Sequence, residues 1–315
     1  MFITGGNGFV GASLVRRLVL EGHHVRIMLR RNSSTERLRE VLDKVEIVYA
    51  DFEHLESVER SLNARHADAV IHAAWSGVTA ADRDGLAQVT GNLAFTIKIC
   101  ELAARTGCQT FVGIGSQAEY GVADEPLTED TVLKPVTAYG FAKYTAWSIC
   151  QKICELAHMR FLWFRLLSAY GPGDDRRHML PYVIRCLLQR ERPKLTRGLQ
   201  KWDYLYIDDC GLAVDAALKS KAAGTFVLGS GKSSTIRSVV EMVRDKIDAG
   251  LPLGFGEVSD SPTVLNLSAD ISCLTAATGW RPSVSLADGL DRTIAFIQEE
   301  ELHALIAHKA VLNDA

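Results

Sequence analysis

Short apolar runs alternate with longer amphipathic stretches along the first half of the chain. Phe2–Thr4, Val25–Leu29, Val45–Tyr49, Ala69–His72, Thr110–Ile114 and residues 161–166 (FLWFRL) are rich in branched and aromatic side chains, which predicts strands buried on both faces. Residues 10–20, 86–104 and 138–157 carry their apolar positions at helical spacing instead. Strand and helix taking turns predicts an α/β fold, a doubly wound parallel sheet with helices on both sides. The first strand is short for a central position. A truncated start and a short but adequate strand flanked on both sides account for it equally well.

After Tyr170-Gly171-Pro172-Gly173 the pattern loosens, with helices expected near 178–189, 208–218, 235–247 and 286–300 and short strands between them. We therefore expect the doubly wound domain to span residues 1–168. Residues 169–315 should form a smaller, mainly substrate-binding lobe that shares one continuous core with it.

Composition narrows the class. The chain has 315 residues, 47% hydrophobic and 23% charged, with a formal net charge of −3. That is enough chain to bury a full core, and it carries no basic field to attract nucleic acid or an anionic membrane. No apolar run approaches the ~18 residues of a membrane span, so a cytoplasmic protein is expected. The seven cysteines include no CxxC pair and no Cys/His set at zinc spacing, which favours buried thiols over a metal site. Cys150 and Cys154 share a helix face, and packing is the favoured account of them.

The segment Thr4-Gly5-Gly6-Asn7-Gly8-Phe9-Val10-Gly11 follows the first strand and opens a helix. Gly5 suits the tight turn, Gly8 lets backbone amides approach a pyrophosphate at the helix N-terminus, and Gly11 permits close helix packing. Strand before and helix after favour a Rossmann-type dinucleotide site over a generic turn. The second strand ends Met28-Leu29-Arg30-Arg31, with no acidic residue where the ribose hydroxyls of NAD would be taken. A guanidinium there suits a 2′-phosphate, so NADP is preferred over NAD, the alternative being two solvated arginines. Asp51, followed by Phe52 after the third strand, is expected either to meet the adenine amino group or to cap the strand end.

Further on, Ser116 in GIGSQAEYG stands just past a strand, and Tyr139 and Lys143 in TAYGFAK stand four apart on one helix face. An ammonium beside a phenol favours phenolate, which would let Tyr139 exchange a proton near neutral pH. Ser116 would donate a hydrogen bond to the same substrate oxygen. Trp75 is expected to plug the core, or else to stack on a sugar or base.

Taken with TGGNGFVG, Val70-Ile71-His72-Ala73-Ala74, Gly91-Asn92-Leu93, the YGPG turn, Asp203-Tyr204-Leu205-Tyr206-Ile207-Asp208-Asp209 and Thr278-Gly279-Trp280-Arg281-Pro282, these segments resemble the extended short-chain dehydrogenase/reductases. The likeness is to the branch of NAD-dependent epimerases and dehydratases that act on nucleotide sugars, and it covers nearly the whole chain. It implies hydride exchange between nicotinamide and a sugar carbon, with Tyr139 moving the matching proton, Lys143 holding the nicotinamide ribose and Ser116 orienting the reacting oxygen. It also implies cofactor contacts from Gly5, Gly8, Phe9, Val10, Gly11, Arg30, Asp51, Phe52, Ala73, Ala74 and Asn92. A homodimer through helices at 86–106 and 138–157 is implied as well.

Dehydratases of this kind carry Asp-Glu after the active-site hydroxyl, whereas Gln117-Ala118 follow Ser116, which disfavours dehydration. A reductase of a nucleotide-linked 4-keto-6-deoxy sugar is the preferred expectation. A 4-epimerase is the alternative, and a non-catalytic NADP-sensing protein a further one. Gln117, Glu119, Ser168, Arg176 and Lys201 are the candidate substrate contacts, with Glu119 either an added acid/base or a structural hydrogen-bonding group. Trp202 stands where the resemblance implies an arginine for the substrate diphosphate, which leaves a sugar without a nucleotide or a non-sugar ketone open.

Overall fold

The computed structural model describes residues 1–79, 81–123, 126–260 and 266–313. Its centre is a seven-stranded, wholly parallel sheet. The strands are β1 (Phe2–Thr4), β2 (Val25–Leu29), β3 (Val45–Tyr49), β4 (Ala69–His72), β5 (Thr110–Ile114), β6 (Arg160–Leu166) and β10 (Gly224–Leu228), in the spatial order β10-β6-β5-β4-β1-β2-β3. The order reverses direction between β1 and β4. In doubly wound sheets, ligands bind beyond the carboxyl ends of the strands at such a point. Although β1 has three residues, all are buried and paired on both sides, with β2 and β4.

Alternation along each strand divides the core in two. Ile3, Ile71, Val112, Leu162 and Phe164 face one side, where α1 (Phe9–Leu20) and α6 (Ile207–Lys219) pack on each other. Phe2, Val70, Phe111, Phe161 and Trp163 face the other, under α2 (Glu56–Ala64), α3 (Ala94–Arg105) and α4 (Ala138–Leu156). This is the side-chain period of two in strands buried on both faces.

Residues on both sides of position 168 build the same core. After β7 (Ser168–Tyr170), α5 (Met179–Leu188) and β8 (Lys194–Leu195) come β9 (Lys201–Tyr206), α6 and β10; α6 returns to α1, and β10 extends the main sheet beside β6. The smaller lobe keeps a mixed sheet of β11 (Ser233–Thr235), β9 and β7, and a two-stranded pair of β12 (Gly254–Phe255) with β8. It also keeps α5, α7 (Ile236–Ile247), α8 (Ser272–Thr278) and α9 (Leu286–Asn313).

Two expected helices differ in detail. The stretch expected over 86–104 begins as a π-helical turn, Gln88–Leu93, before α3, and the last helix runs past 300 to Asn313. No helix among the described residues is long and apolar enough to cross a membrane. All seven cysteines are free, and Cys273 alone among them is exposed. The Sγ atoms of Cys100 and Cys154 meet at 3.9 Å inside the core beneath α3 and α4.

Candidate active site

The floor of the site is the turn from β1 into α1. Gly5 has a φ of +70°, and a Cβ there would lie 2.5 Å from the Ala74 nitrogen. A Cβ on Gly11 would lie 2.0 Å from the Gly5 carbonyl oxygen, so the close approach this glycine permits is of the helix onto its own loop. Gly8 is less constrained, with only the Gly5 oxygen nearby at 3.2 Å. It is also the N-cap of α1 and brings no side chain to bond the first-turn amides, those of Phe9 and Val10 among them. A glycine cradle under a helix start with no acidic residue in its first turn fits a pyrophosphate, which amides and helix dipole both favour.

Beyond β2 and β3 the floor opens into a cavity of about 700 Å³, lined by Arg30, Arg31, Tyr49, Asp51, His54 and Arg60 among others. Arg30 is exposed, and the Arg31 guanidinium lies 5.6 Å from the centre of the Tyr49 ring. Asp51 lines this cavity, and its Oδ1 accepts from the Glu53 and His54 amides as a cap. Phe52 is exposed and edge-on to Phe95.

At the far end Ser116, Tyr139 and Lys143 come together, at 7%, 8% and 5% exposure. Ser116 N-caps a short turn, Gln117–Glu119, and Thr137 N-caps α4. The two caps lie close because a Cβ on Gly140 would meet the Ala118 carbonyl at 2.4 Å. Tyr139 is further held by its amide, which donates to the Arg83 carbonyl at 2.8 Å, and by the Trp75 ring, edge-on at 5.8 Å.

The electrostatics correct one expectation. Burial pushes the Tyr139 phenol above its ordinary value; Ser116 and the Arg83 guanidinium pull it down, and Glu119 pushes it up. Lys143 is not among the groups that lower it: Nζ donates to the Ile114 carbonyl at 2.6 Å and lies 6.0 Å from the Tyr139 ring centre. Burial in turn pulls Lys143 down to about 7, with Glu119 opposing. His72, wholly buried between the Thr4 and Thr96 hydroxyls, is brought down to about 3 by desolvation and then by Lys143, so it is neutral.

The remaining expected contacts divide. Ala73 and Ala74 border the glycine turn, with the Ala73 amide donating to the Thr4 carbonyl. Asn92 spends its amide within the protein, accepting from Ser76 N at 2.9 Å and donating to Ser76 O at 2.8 Å and to Gln88 Oε1 at 3.0 Å. Gln117 is half-buried beside Ser116. Glu119 is fully buried and its carboxylate is engaged by Ser116 N, Trp163 Nε1 and Arg165 Nε, so of its two expected uses the structural one matches its surroundings. Ser168 starts β7 half-buried, whereas Arg176 and Lys201 are exposed on the smaller lobe. Trp75 packs half-buried against the core beneath α3 and α4, where its indole donates to Gln88 at 2.8 Å and its ring covers Lys143.

Sequence reading missed Arg83 and Arg165. Arg83 lies in a loop with no periodicity, its guanidinium 5.6 Å from the Tyr139 ring centre. Arg165 did leave a signal, a lone charge within the apolar run FLWFRL.

Fold and site together define a dinucleotide-dependent enzyme, with Ser116, Tyr139 and Lys143 brought together in its interior. Residues 1–229 match the NAD dependent epimerase/dehydratase family, and the chain belongs to it as an enzyme of that class. It is similar to the dTDP-4-dehydro-6-deoxyglucose reductase of Escherichia coli, 26% identical with 95% of this chain and 97% of that protein covered. A putative UDP-glucose 4-epimerase of Methanocaldococcus jannaschii is 25% identical, over 95% and 98%. Among solved structures, the UDP-glucose 4-epimerase of Thermus thermophilus complexed with NAD superposes with a TM-score of 0.83 at 23% identity. It covers 94% of this chain and 98% of its own.

Proposed function

We propose that this enzyme reduces a nucleotide-linked 4-keto-6-deoxy sugar, with NADPH preferred over NADH and Tyr139 as the proton donor. The observation that carries this reading is a buried phenol held above its ordinary value beside the Ser116 hydroxyl. Such a phenol is protonated at neutral pH and suited to give a proton to an oxygen that is gaining charge. Reduction of a ketone needs one proton and one hydride, and a single donor suffices. Dehydration needs a further acid and base, yet Gln117-Ala118 follow Ser116 and the Glu119 carboxylate is already spent on Arg165.

Bound over the glycine cradle, the reduced nicotinamide would supply the hydride for the sugar carbonyl carbon. The protein's part is to orient and to protonate. Ser116 donates a hydrogen bond to the carbonyl oxygen, Tyr139 gives that oxygen its proton, and Lys143 is turned toward the carboxyl end of β5 to hold a ribose hydroxyl. The lining of Arg30, Arg31 and Arg60 supports a 2′-phosphate at the adenosine end, hence NADP. The kinship with the E. coli reductase supports the same direction.

A 4-epimerase is the second reading, favoured by the M. jannaschii relative and the Thermus structure. The complete Ser116-Tyr139-Lys143 cluster speaks against a mere NADP sensor. A cytoplasmic location and homodimer pairing through α3 and α4 belong to the same reading, and the exposed Phe141, Tyr144 and Leu156 of α4 support the pairing.

Titrating the purified protein with NADPH and NADH, alone and with a panel of 4-keto sugar nucleotides, tests it. Tight NADPH binding with net oxidation on a keto sugar is the expected result. Retained NAD with sugar epimers interconverting and no net oxidation would replace it with the epimerase.

A further inference from the structure

Beneath the proton-transfer cluster lies a buried ion pair that the reaction as described does not use. Arg165 and Glu119 side chains are 2% and 0% exposed, with Arg165 Nε 2.9 Å from Glu119 Oε2. The other carboxylate oxygen accepts from Ser116 N at 2.8 Å and from Trp163 Nε1 at 3.1 Å. Each of these partners is a donor, so the group serves as an ionised acceptor although burial pushes its carboxyl up.

The surroundings are built to hold it. Gly113 and Gly115 leave the groove in which the Trp163 indole lies: a Cβ on Gly115 would be 2.2 Å from Trp163 Nε1 and 2.4 Å from Glu119 Oε1. On the far side the Arg165 guanidinium lies between the Tyr120 and Trp147 rings, at 5.0 and 4.9 Å. Its Nη1 also reaches the Tyr120 hydroxyl and the Glu129 carbonyl, both at 3.4 Å. Buried ion pairs are costly to assemble and are often neutral for stability beside an apolar replacement. A role in the site accounts for this one.

We infer that Glu119, clamped by Arg165, is a positioning residue for proton transfer: its carboxylate fixes the Ser116 turn and supplies the negative charge that faces the Lys143 ammonium. The inference rests on the proposed roles of Ser116, Tyr139 and Lys143. Charged and titratable groups facing this carboxylate are Arg165 from β6, Tyr139 and Lys143 from α4, and Tyr120 from its own turn. Arg83 faces Tyr139, and the neutral His72 interacts with Lys143. Among them Glu119 favours charge on Lys143 and opposes it on Tyr139, so one fixed charge keeps ammonium and phenol in the protonation states that reduction needs.

The test follows the ε-carbon signal of Lys143 by NMR in ligand-free protein carrying ¹³C-lysine, titrated from about pH 5 to 10. Wild type is expected to show a midpoint near 7. Glu119→Gln, which keeps an oxygen for Ser116 N and removes the charge, should lower that midpoint by about one unit or more. Glu119→Asp should hold it near wild type. An equal midpoint in wild type and Glu119→Gln would overturn the inference. If the single variant does not fold because Arg165 is left unpaired, Glu119→Gln with Arg165→Met removes both charges; Arg165 partly offsets Glu119 at Lys143, so the midpoint should still fall, but by less, and an unchanged midpoint there too would overturn the inference. The midpoint requires no substrate, so it stands or falls independently of whether the enzyme reduces keto sugars. Where it does, Glu119→Gln should lower kcat about tenfold or more at unchanged KM. Unchanged kcat would remove Glu119 from the proton-transfer machinery.

Discussion

The Nζ of Lys143 lies 3.8 Å from the centre of the Trp75 ring while it donates to the Ile114 carbonyl at 2.6 Å. Indole and carbonyl together take the place of water around this ammonium. Trp75 is itself tied to Gln88, which bonds the Gly77 and Asp82 carbonyls, so the cover over Lys143 is anchored in the loop that also carries Arg83. A buried ammonium with one carbonyl and one ring face loses more solvation than these contacts restore, and Lys143 falls to about 7.

Removing the cover should reverse this. Trp75→Ala admits water to Nζ, and the Lys143 midpoint should rise from near 7 toward the lysine value of 10.5. The lost half-buried indole should cost roughly 1–3 kcal/mol in urea unfolding. A midpoint that stays near 7 would mean that water reaches Lys143 already.

Lys143 also makes stability depend on pH. Its folded value, about 7, lies below the unfolded value of 10.5, so between the two the unfolded chain binds a proton that the folded chain lacks. Stability contributed by this group therefore rises as pH climbs through that window, and the full burial penalty applies below pH 7. Lys143→Met, which carries no charge, should be more stable than wild type below pH 7 by on the order of 3 kcal/mol. The advantage should shrink steadily above pH 7, as chemical denaturation at several pH values would read. A pH-independent difference would refute it.

Tyr139→Phe keeps the ring that packs on Trp75 and removes only the hydroxyl. Cofactor affinity and unfolding midpoint should stay near wild type, while turnover falls by about 10²–10⁴-fold, the usual worth of a positioned proton donor. Fluorescence titration of NADPH with single-turnover kinetics separates the two effects. Undiminished turnover would assign the proton to another group.

Much of this was legible in the sequence for a physical reason: strands buried on both faces must be largely apolar, so β1, β2, β4, β5 and β6 stand out as compact runs, whereas β3, also expected to be buried on both faces, is the sheet edge and leaves Glu46 and Tyr49 exposed. The exceptions follow the same logic. Helix α2 (ESVERSLNA) buries only Val58 and Leu62, too little apolar surface to mark a face, and β8 and β12 have two residues each. The site was readable wherever local geometry demands a residue type, as at Gly5, Gly11 and the Tyr139/Lys143 spacing. Direction was not readable: four-residue spacing put Lys143 beside Tyr139, but the tertiary partners Ile114 and Trp75 decide where its ammonium points. Arg83 and Arg165 reach the site by contacts 56 and 46 residues away in the chain, to Tyr139 and Glu119, which no local pattern records.

The glycine cradle can be tested without substrate. A Cβ at position 11 would sit 2.0 Å from the Gly5 carbonyl oxygen, so Gly11→Ala must push α1 away from the turn. Overpacking of this kind costs roughly 1–3 kcal/mol. The variant should lose most NAD(P)H binding by calorimetry while keeping a cooperative unfolding transition. Retained affinity would mean that the dinucleotide does not depend on this close approach.

Arg30 decides between the two dinucleotides if the cavity beyond β2 and β3 takes a 2′-phosphate. A charge-assisted hydrogen bond to phosphate contributes about 1.5–3 kcal/mol, and the exposure of Arg30 places it at the lower end. Arg30→Ala should therefore weaken NADPH about tenfold and leave NADH nearly unchanged, with the NADPH loss shrinking as salt is raised. Arg31 lies against the Tyr49 ring and Arg60 lines the same cavity, so part of the preference should survive the single change and fall further in Arg30→Ala with Arg60→Ala. Equal losses for both cofactors would assign Arg30 to the part they share, and no loss for either would leave it a solvated loop residue.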